Sequence, residues 1–250
     1  MNVLIGNDVV DLANPRTVGR ALDTRFVARV FDAEEREAIE AEGGSDLELW
    51  SRWAAKEAAF KAISKVLGTQ PAFIHRAFKV VWSAAGAEVG SGPPELTGEG
   101  TDEAVIRVGS VSHADLVADT VVRLGTGAVE AVALCARNGG SDAISTRRRV
   151  ARLDDSAACW SGQLQDLMLR FSAREADSVR SLESAAVRLG AREEVARMLG
   201  VAEARVEIVC PPGPSTRRPP CVLVDGAPTH ADLSLSHDGR WIAWAISVEP

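Results

Sequence analysis

Of the chain's 28 basic residues only four are lysine, and Lys56, Lys61 and Lys65 fall on one uninterrupted stretch. That stretch, Trp50-Ser51-Arg52-Trp53-Ala54-Ala55-Lys56-Glu57-Ala58-Ala59-Phe60-Lys61-Ala62-Ile63-Ser64-Lys65, contains neither proline nor glycine. Its helical period runs from about residue 47 to 67, where Gly68 stops it. Leu49, Trp53, Phe60, Ile63 and Leu67 form an apolar stripe that the rest of the fold must cover. Arginine supplies the positive charge elsewhere, so a lysine-rich helix suggests a site that wants a compact ammonium rather than a planar fork. Trp53, Glu57 and Lys61 recur four apart and share a face. Glu57 before Lys61 is also the ordinary stabilising ion-pair order, worth ~0.3–0.5 kcal/mol on a surface.

The 250 residues are 46% hydrophobic and 25% charged, which suits one large globular domain or two of about 120 residues. A net charge of −7 argues against a nucleic-acid partner, which calls for a basic excess. No apolar run approaches the ~18 residues of a membrane span. Val3-Leu4-Ile5 meets acidic residues without a basic segment before it, so the expected location is cytoplasmic, with no membrane partner. The four cysteines make no C-x-x-C pair and have no histidine at zinc spacing, which predicts free, largely buried thiols.

Along the chain, Val3-Leu4-Ile5-Gly6-Asn7-Asp8-Val9-Val10 reads as a strand with Asp8 within or just beyond its end. A carboxylate there is either solvated or paired, and a metal is one possible partner. Arg16/Arg20 and Arg25/Arg29 stand at helical i, i+4 spacing, forming either a solvated face or a basic patch for an acidic partner. Asp32 reads as a helix cap, and Ser45 or Asp46 as the cap of the lysine helix. Strands are predicted at 78–82, 105–108, 116–124 and 129–134, with turns at Gly86, Gly90, Gly92, Pro93 and Pro94. Residues 138–150 read as a linker. Helical sequence from about 156 to 199 then holds Phe171-Ser172-Ala173-Arg174-Glu175-Ala176, an echo of Trp53 to Ala58. Strands are predicted at 206–210, 221–224, 232–236 and 241–246. Helices then strands, twice, imply an internal duplication: an α+β chain of two pseudo-symmetric lobes, 1–137 and 151–250. The last two strands form a hairpin with His237 at its tip, just after Ser234-Leu235-Ser236.

Asp8 and Glu57, carboxylates on separate elements with no cysteine beside them, suit a hard cation that keeps waters, Mg²⁺. A nearby lysine and histidine would complement phosphate oxygens, which together is the equipment of phosphoryl transfer.

Gly6-Asn7-Asp8 on an early strand, Trp53-Ala54-Ala55-Lys56-Glu57-Ala58-Ala59-Phe60-Lys61 on a helix and Ser234-Leu235-Ser236-His237 in a hairpin resemble the signature pieces of the 4′-phosphopantetheinyl transferases. Their order is similar to that of the short holo-acyl-carrier-protein synthases, and the length to that of the two-lobed single-chain enzymes. The resemblance covers the first 68 residues and about the last 45. It implies helices packed on a small, mostly antiparallel sheet in each lobe, with the active site between lobes. The implied reaction moves the phosphopantetheine arm of coenzyme A to a serine of an acidic acyl, peptidyl or polyketide carrier protein, releasing 3′,5′-ADP. Asp8 and Glu57 would hold Mg²⁺, with Glu57 also the base for the serine proton. Lys61 would neutralise phosphate or leaving-group charge, and Lys65 would reach phosphate or solvent. Ser236 and His237 would contact coenzyme A. Lys56, about 100° around the helix from Glu57, would support the site from the side. Arg16, Arg20, Arg25 and Arg29 correspond in place to the carrier-binding helix. Two lobes in one chain imply a monomer.

The sequence departs from the larger members in carrying Val10 where they have a further carboxylate. Asp11 sits at an odd offset from Asp8 and so points to the opposite strand face. A second Ser-x-Ser-His, Ser110 to His113, lacks the following glycine and aromatic strand, so it and Arg174-Glu175 read as degenerate counterparts in the opposite lobe. The alternatives are a catalytically inactive relative that binds carrier protein or nucleotide, and a Mg²⁺-dependent phosphohydrolase on another fold.

Overall fold

The computed structural model describes residues 3–83, 105–125, 127–137, 145–213 and 218–248. They form two compact units, one up to residue 137 and one from residue 145. Each unit holds an antiparallel five-stranded sheet with helices, so the chain is α+β. Among the described residues no helix is long and apolar enough to cross a membrane.

In the first unit β1 (Val3–Asp11) is followed by α1 (Thr24–Val30), α2 (Ala33–Ala41) and α3 (Asp46–Leu67). Strands β2 (Lys79–Trp82), β3 (Val105–His113), β4 (Leu116–Leu124) and β5 (Ala128–Ala136) complete a sheet of order β1-β5-β4-β3-β2. The register runs from Val3 opposite Ala136 to Asp11 opposite Ala128. Helix α3 packs on this sheet through Ala54, Ala55, Ala58, Ala59 and Ala62, all fully buried. The small side chains let the helix axis come close to the strands. Gly6 takes this to its limit: a Cβ there would lie 1.9 Å from the Ala58 carbonyl oxygen and 2.8 Å from the Ala62 nitrogen.

The second unit repeats the plan. Strand β6 (Ser145–Arg152) precedes α4 (Leu164–Met168), α5 (Ala173–Ala176) and α6 (Leu182–Leu199). Then β7 (Val206–Val209), β8 (Cys221–Val224), β9 (Ala227–Asp238) and β10 (Trp241–Val248) give the order β6-β10-β9-β8-β7. Here the close approach is reversed. The glycine is on the helix, and a Cβ at Gly190 would meet Trp244 at 2.5 Å and Trp160 at 2.9 Å. Those two indoles pack edge to face, 5.7 Å apart, in the core.

Most predicted strands appear within two residues of their expected ends, but β3 runs five residues past 108 and β9 starts five before 232. The stretch expected as linker, 138–150, is strand from residue 145 on; residues 138–144 and the turns at Gly86 to Pro94 lie outside the described residues. The helical stretch 156–199 holds the three helices α4, α5 and α6. Arg16 stands in a run of turns, not on a helix, so only Arg25 and Arg29, on α1, keep the expected i, i+4 relation. His237 is not at a hairpin tip: it lies within β9, opposite Ile242, and the turn is Gly239-Arg240.

Candidate active site

Helix α3 is fixed at both ends. The Ser45 hydroxyl accepts the Leu47 N–H at its start, and Gly68, in the left-handed region, closes it. Gly6 brings β1 against the helix, and Asp8, two residues further along the same strand face, is directed at the next turn of α3. Lys61 Nζ lies 3.1 Å from Asp8 Oδ1 and donates to the Asn7 carbonyl at 2.7 Å. Lys65 Nζ donates to the Ile5 carbonyl at 2.7 Å. Both lysines thus reach off the helix to the strand, and Lys61 is paired with Asp8 rather than with Glu57. Val10, on the Asp8 face, is buried in the core. Asp11, on the other face, accepts the Ala13 N–H through Oδ1.

Glu57 lies one turn before Lys61. Its Oε1 is 3.8 Å from Nε2 of His75, a residue the sequence reading did not single out. His75 stands in the connection between α3 and β2 and stacks on Trp53 at 4.4 Å; its ring also meets Phe73 at 4.1 Å. The only hint in the sequence is the run Phe73-Ile74-His75 just past the end of the helix.

Lys56 is wholly buried and points into the unit, so it reaches the site only indirectly. Its ammonium lies 2.6 Å from Glu35 Oε2 and donates to the carbonyls of Val30 and His75. Burial is the dominant influence and pulls its pKa below the usual lysine value, against the opposing pull of Glu35. Lys56 therefore ties the end of α1, the start of α2 and the His75 backbone together, and no coenzyme contact is open to it. Glu35 is held in turn by a capping box with Asp32 and by the Val80 N–H of β2.

Ser236 and His237 belong to the second unit. As successive strand residues they point to opposite faces, Ser236 buried and His237 exposed. His237 shares its face with core residue Leu233. It is also the last and weakest of the groups that hold the Glu183 carboxyl, at the start of α6, below its usual range; the Ser181 hydroxyl comes first.

The arginine patch sits on a loop and helix anchored to α3. Asp46 accepts the N–H groups of Gly19 and Ala21, and the Trp50 indole donates to the Thr17 carbonyl. Arg20 and Arg29 both lie over the Phe26 ring, and Arg20 pairs with Asp23 at 2.9 Å. Val18 and Leu22 are exposed beside them, at 65% and 76%. Arg16 and Arg25 are exposed as well.

Asp8 and Glu57 offer hard oxygen donors, part-exposed, from a strand and a helix that Gly6 holds in contact. Among the described residues no group of three or more His, Cys, Asp or Glu could enclose a metal by itself. This donor set fits a cation such as Mg²⁺ that keeps several waters and shares its shell with a substrate phosphate.

Residues 4–91 match the family model of the 4′-phosphopantetheinyl transferase superfamily. No curated protein and no solved structure matched the chain. The matched span contains Asp8, Glu57, Lys61, Lys65 and His75. It supports a transferase of this kind, and two antiparallel five-stranded sheets agree with the two-lobed transferase fold.

The counterpart of the lysine helix in the second unit is not Arg174-Glu175. That pair lies on α5, whose Ser172–Glu175 capping box matches Asp32–Glu35 of α2. Counting ten residues into each long helix, 46 to 56 in α3 and 182 to 192 in α6, aligns Ala55-Lys56-Glu57-x-x-x-Lys61 with Ala191-Arg192-Glu193-x-x-x-Arg197. Nor does His113 match His237. His113 ends β3, stacked on Phe78 at 4.1 Å, whereas His237 is on β9, which corresponds in sheet position to β4.

Proposed function

We propose that this chain transfers the 4′-phosphopantetheine arm of coenzyme A to a serine of an apo acyl, peptidyl or polyketide carrier protein. The serine oxygen attacks the phosphorus that bears the pantetheine arm, the bond to the adenosine bisphosphate breaks, and 3′,5′-ADP leaves. What carries the reading is the Asp8–Lys61 pair with Glu57 one helical turn away, all inside the span matched to the transferase superfamily.

On this reading Asp8 and Glu57 would hold Mg²⁺, which when bound supplies positive charge against the pyrophosphate. Glu57 accepts the serine proton as general base. Lys61 already lies against a carboxylate oxygen, and the same ammonium serves the phosphate or the leaving group. Lys65, bonded to the Ile5 carbonyl, stands one turn further as a second cation on that side. His237 and Ser236 are the residues the motif assigns to coenzyme A. Because they point to opposite faces of β9, His237 is the better candidate for phosphate, and Ser236 for a buried supporting bond. Arg16, Arg20, Arg25 and Arg29, beside exposed Val18 and Leu22, present positive charge with an apolar centre to an acidic carrier.

The test is direct. Purified protein with Mg²⁺, coenzyme A and a panel of fatty-acid, polyketide and peptide-synthetase apo carriers should add one phosphopantetheine arm to at least one carrier, read by intact mass. No mass shift on any carrier overturns the proposal.

A further inference from the structure

The imidazole of His75 is held more firmly than a connecting segment requires. One face lies on Trp53, with ring centres 4.4 Å apart and planes within 29°; the Phe73 ring is 4.1 Å away. Its backbone carbonyl is fixed by the buried Lys56 ammonium at 3.1 Å. Stacking and backbone anchor together leave the ring few orientations. In the one adopted, Nε2 is buried and has no hydrogen-bond partner among the described residues, while Glu57 Oε1 lies 3.8 Å from it. A buried imidazole nitrogen without a partner is costly, and such exceptions call for an explanation. A shift of under 1 Å would turn this approach into a hydrogen bond.

We propose that His75 is the positioning residue for Glu57. Its Nε2–H donates to one carboxylate oxygen and fixes the side chain's rotamer, so that the other oxygen is presented toward Asp8. A carboxylate on a helix surface has several rotamers, and one hydrogen bond from a rigid donor removes most of that freedom. The inference rests on Glu57 being the carboxylate that serves transfer. It adds a residue that touches neither substrate nor the reacting atoms.

The arrangement also gives the aromatic bulk around it a purpose. Phe26 stacks on Trp53, Trp53 on His75, and His75 faces Glu57, so the ring that orients the carboxylate is linked through Trp53 to the arginine-bearing helix α1.

His75→Phe and His75→Gln in the full chain separate the roles. Phenylalanine keeps both ring contacts and the backbone anchor and loses the donor; glutamine restores an N–H donor at similar reach. For His75→Phe we expect an unchanged melting temperature, a fall in kcat of about 10-fold or more and unchanged KM for coenzyme A and carrier. We also expect Mn²⁺ affinity in the presence of coenzyme A, read by electron paramagnetic resonance, to weaken by about 10–100-fold, the usual effect of losing an outer-shell partner. His75→Gln should recover most of both. Wild-type kcat and Mn²⁺ affinity in His75→Phe overturn the proposal. If His75→Phe melts early, His75→Gln decides: retained transfer and Mn²⁺ affinity support it, and loss of both with the fold intact overturns it. The Mn²⁺ readout does not depend on turnover, so a wild-type protein that binds Mn²⁺ but transfers nothing fails the functional reading and leaves the His75 test standing.

Discussion

The two halves of this molecule are built from one plan and use it for different ends. In each, the N3 glutamate of a capping box is buried and receives a strand N–H: Glu35 from Val80 and Glu175 from Ile208. In each, a cation ten residues into the long helix approaches that glutamate, Lys56 at 2.6 Å and Arg192 at 3.7 Å. The networks divide one turn further on. In the second unit Arg197 turns back on its own helix to Glu193, at 2.9 Å, and to Glu194. In the first unit Lys61 leaves its helix for Asp8 and the Asn7 carbonyl, and Glu57 faces His75 instead. The buried network is therefore scaffold, common to both halves. What distinguishes the first is a strand carrying Gly6 and Asp8 that draws the lysines away and leaves Glu57 facing His75.

The largest expected effect tests that division. Glu57→Gln keeps shape and removes only the charge and basicity, so transfer should fall about 10³-fold, within the range for a general base. Glu193→Gln, the equivalent change in the second unit, should leave kcat/KM for the carrier near wild type. Equal losses from both would mean that the halves are not functionally distinct.

Next comes the scaffold. Lys56→Met leaves Glu35 buried without its cation, and breaking a buried pair costs about 3–5 kcal/mol. Arg192→Met should cost less, because Arg192 shares its charge with Glu203 at 3.0 Å and its contact with Glu175 is longer. Urea unfolding of the two variants checks the order. A smaller loss for Lys56→Met would show that the lysine is retained for the site and not for the fold.

The glycines invert the comparison. Gly6→Ala forces a methyl onto the backbone of α3, which cannot rotate away, so a cost at or above the ~1–3 kcal/mol of ordinary overpacking is expected. Transfer should fall with it, since α3 must retreat from β1. Gly190→Ala first meets side chains, the Trp244 and Trp160 indoles, and about 1 kcal/mol of gained helix propensity offsets part of the clash. Its melting temperature should drop less, and transfer should fall less than in Gly6→Ala.

How much of this could be read in the sequence follows from the range of each interaction. Helix α3, its Ser45 and Gly68 ends and the core strands are set by local periodicity and by caps, and they stand where the pattern put them. Residues 145–150 misled because an arginine run looks like linker; β6 is an edge strand, where charge is tolerated, and Arg149 lies over Trp160 and Trp244. The i, i+4 rule paired Lys61 with Glu57 because the rule knows only the helix, whereas Asp8 arrives from 53 residues away. Lys56 looked like part of the site because its partner Glu35 is 21 residues distant and marked only by a capping box. The true repeat, Ala-Lys-Glu against Ala-Arg-Glu, was hidden by the exchange of lysine for arginine and by a nearer look-alike on α5.

The smallest effect probes what Glu193 acts on in the second unit. The half-buried Cys159 thiol is pushed up to about 12, first by burial and then by a hydrogen bond to Glu193 and its negative charge. Glu193→Gln removes the charge and leaves the burial, so the thiol's pKa should fall only part of the way. A lower pKa means more thiolate at a given pH, because a neighbouring anion disfavours the charged sulfur. Iodoacetamide labelling of Cys159 at mildly alkaline pH, followed by peptide mass, should therefore speed up by a few-fold. Exposed Cys221 should react at an unchanged rate, and Cys135, fully buried and pushed up to about 11, should stay slow. An unchanged Cys159 rate would mean that Glu193 does not bear on that thiol, and would reopen its comparison with Glu57.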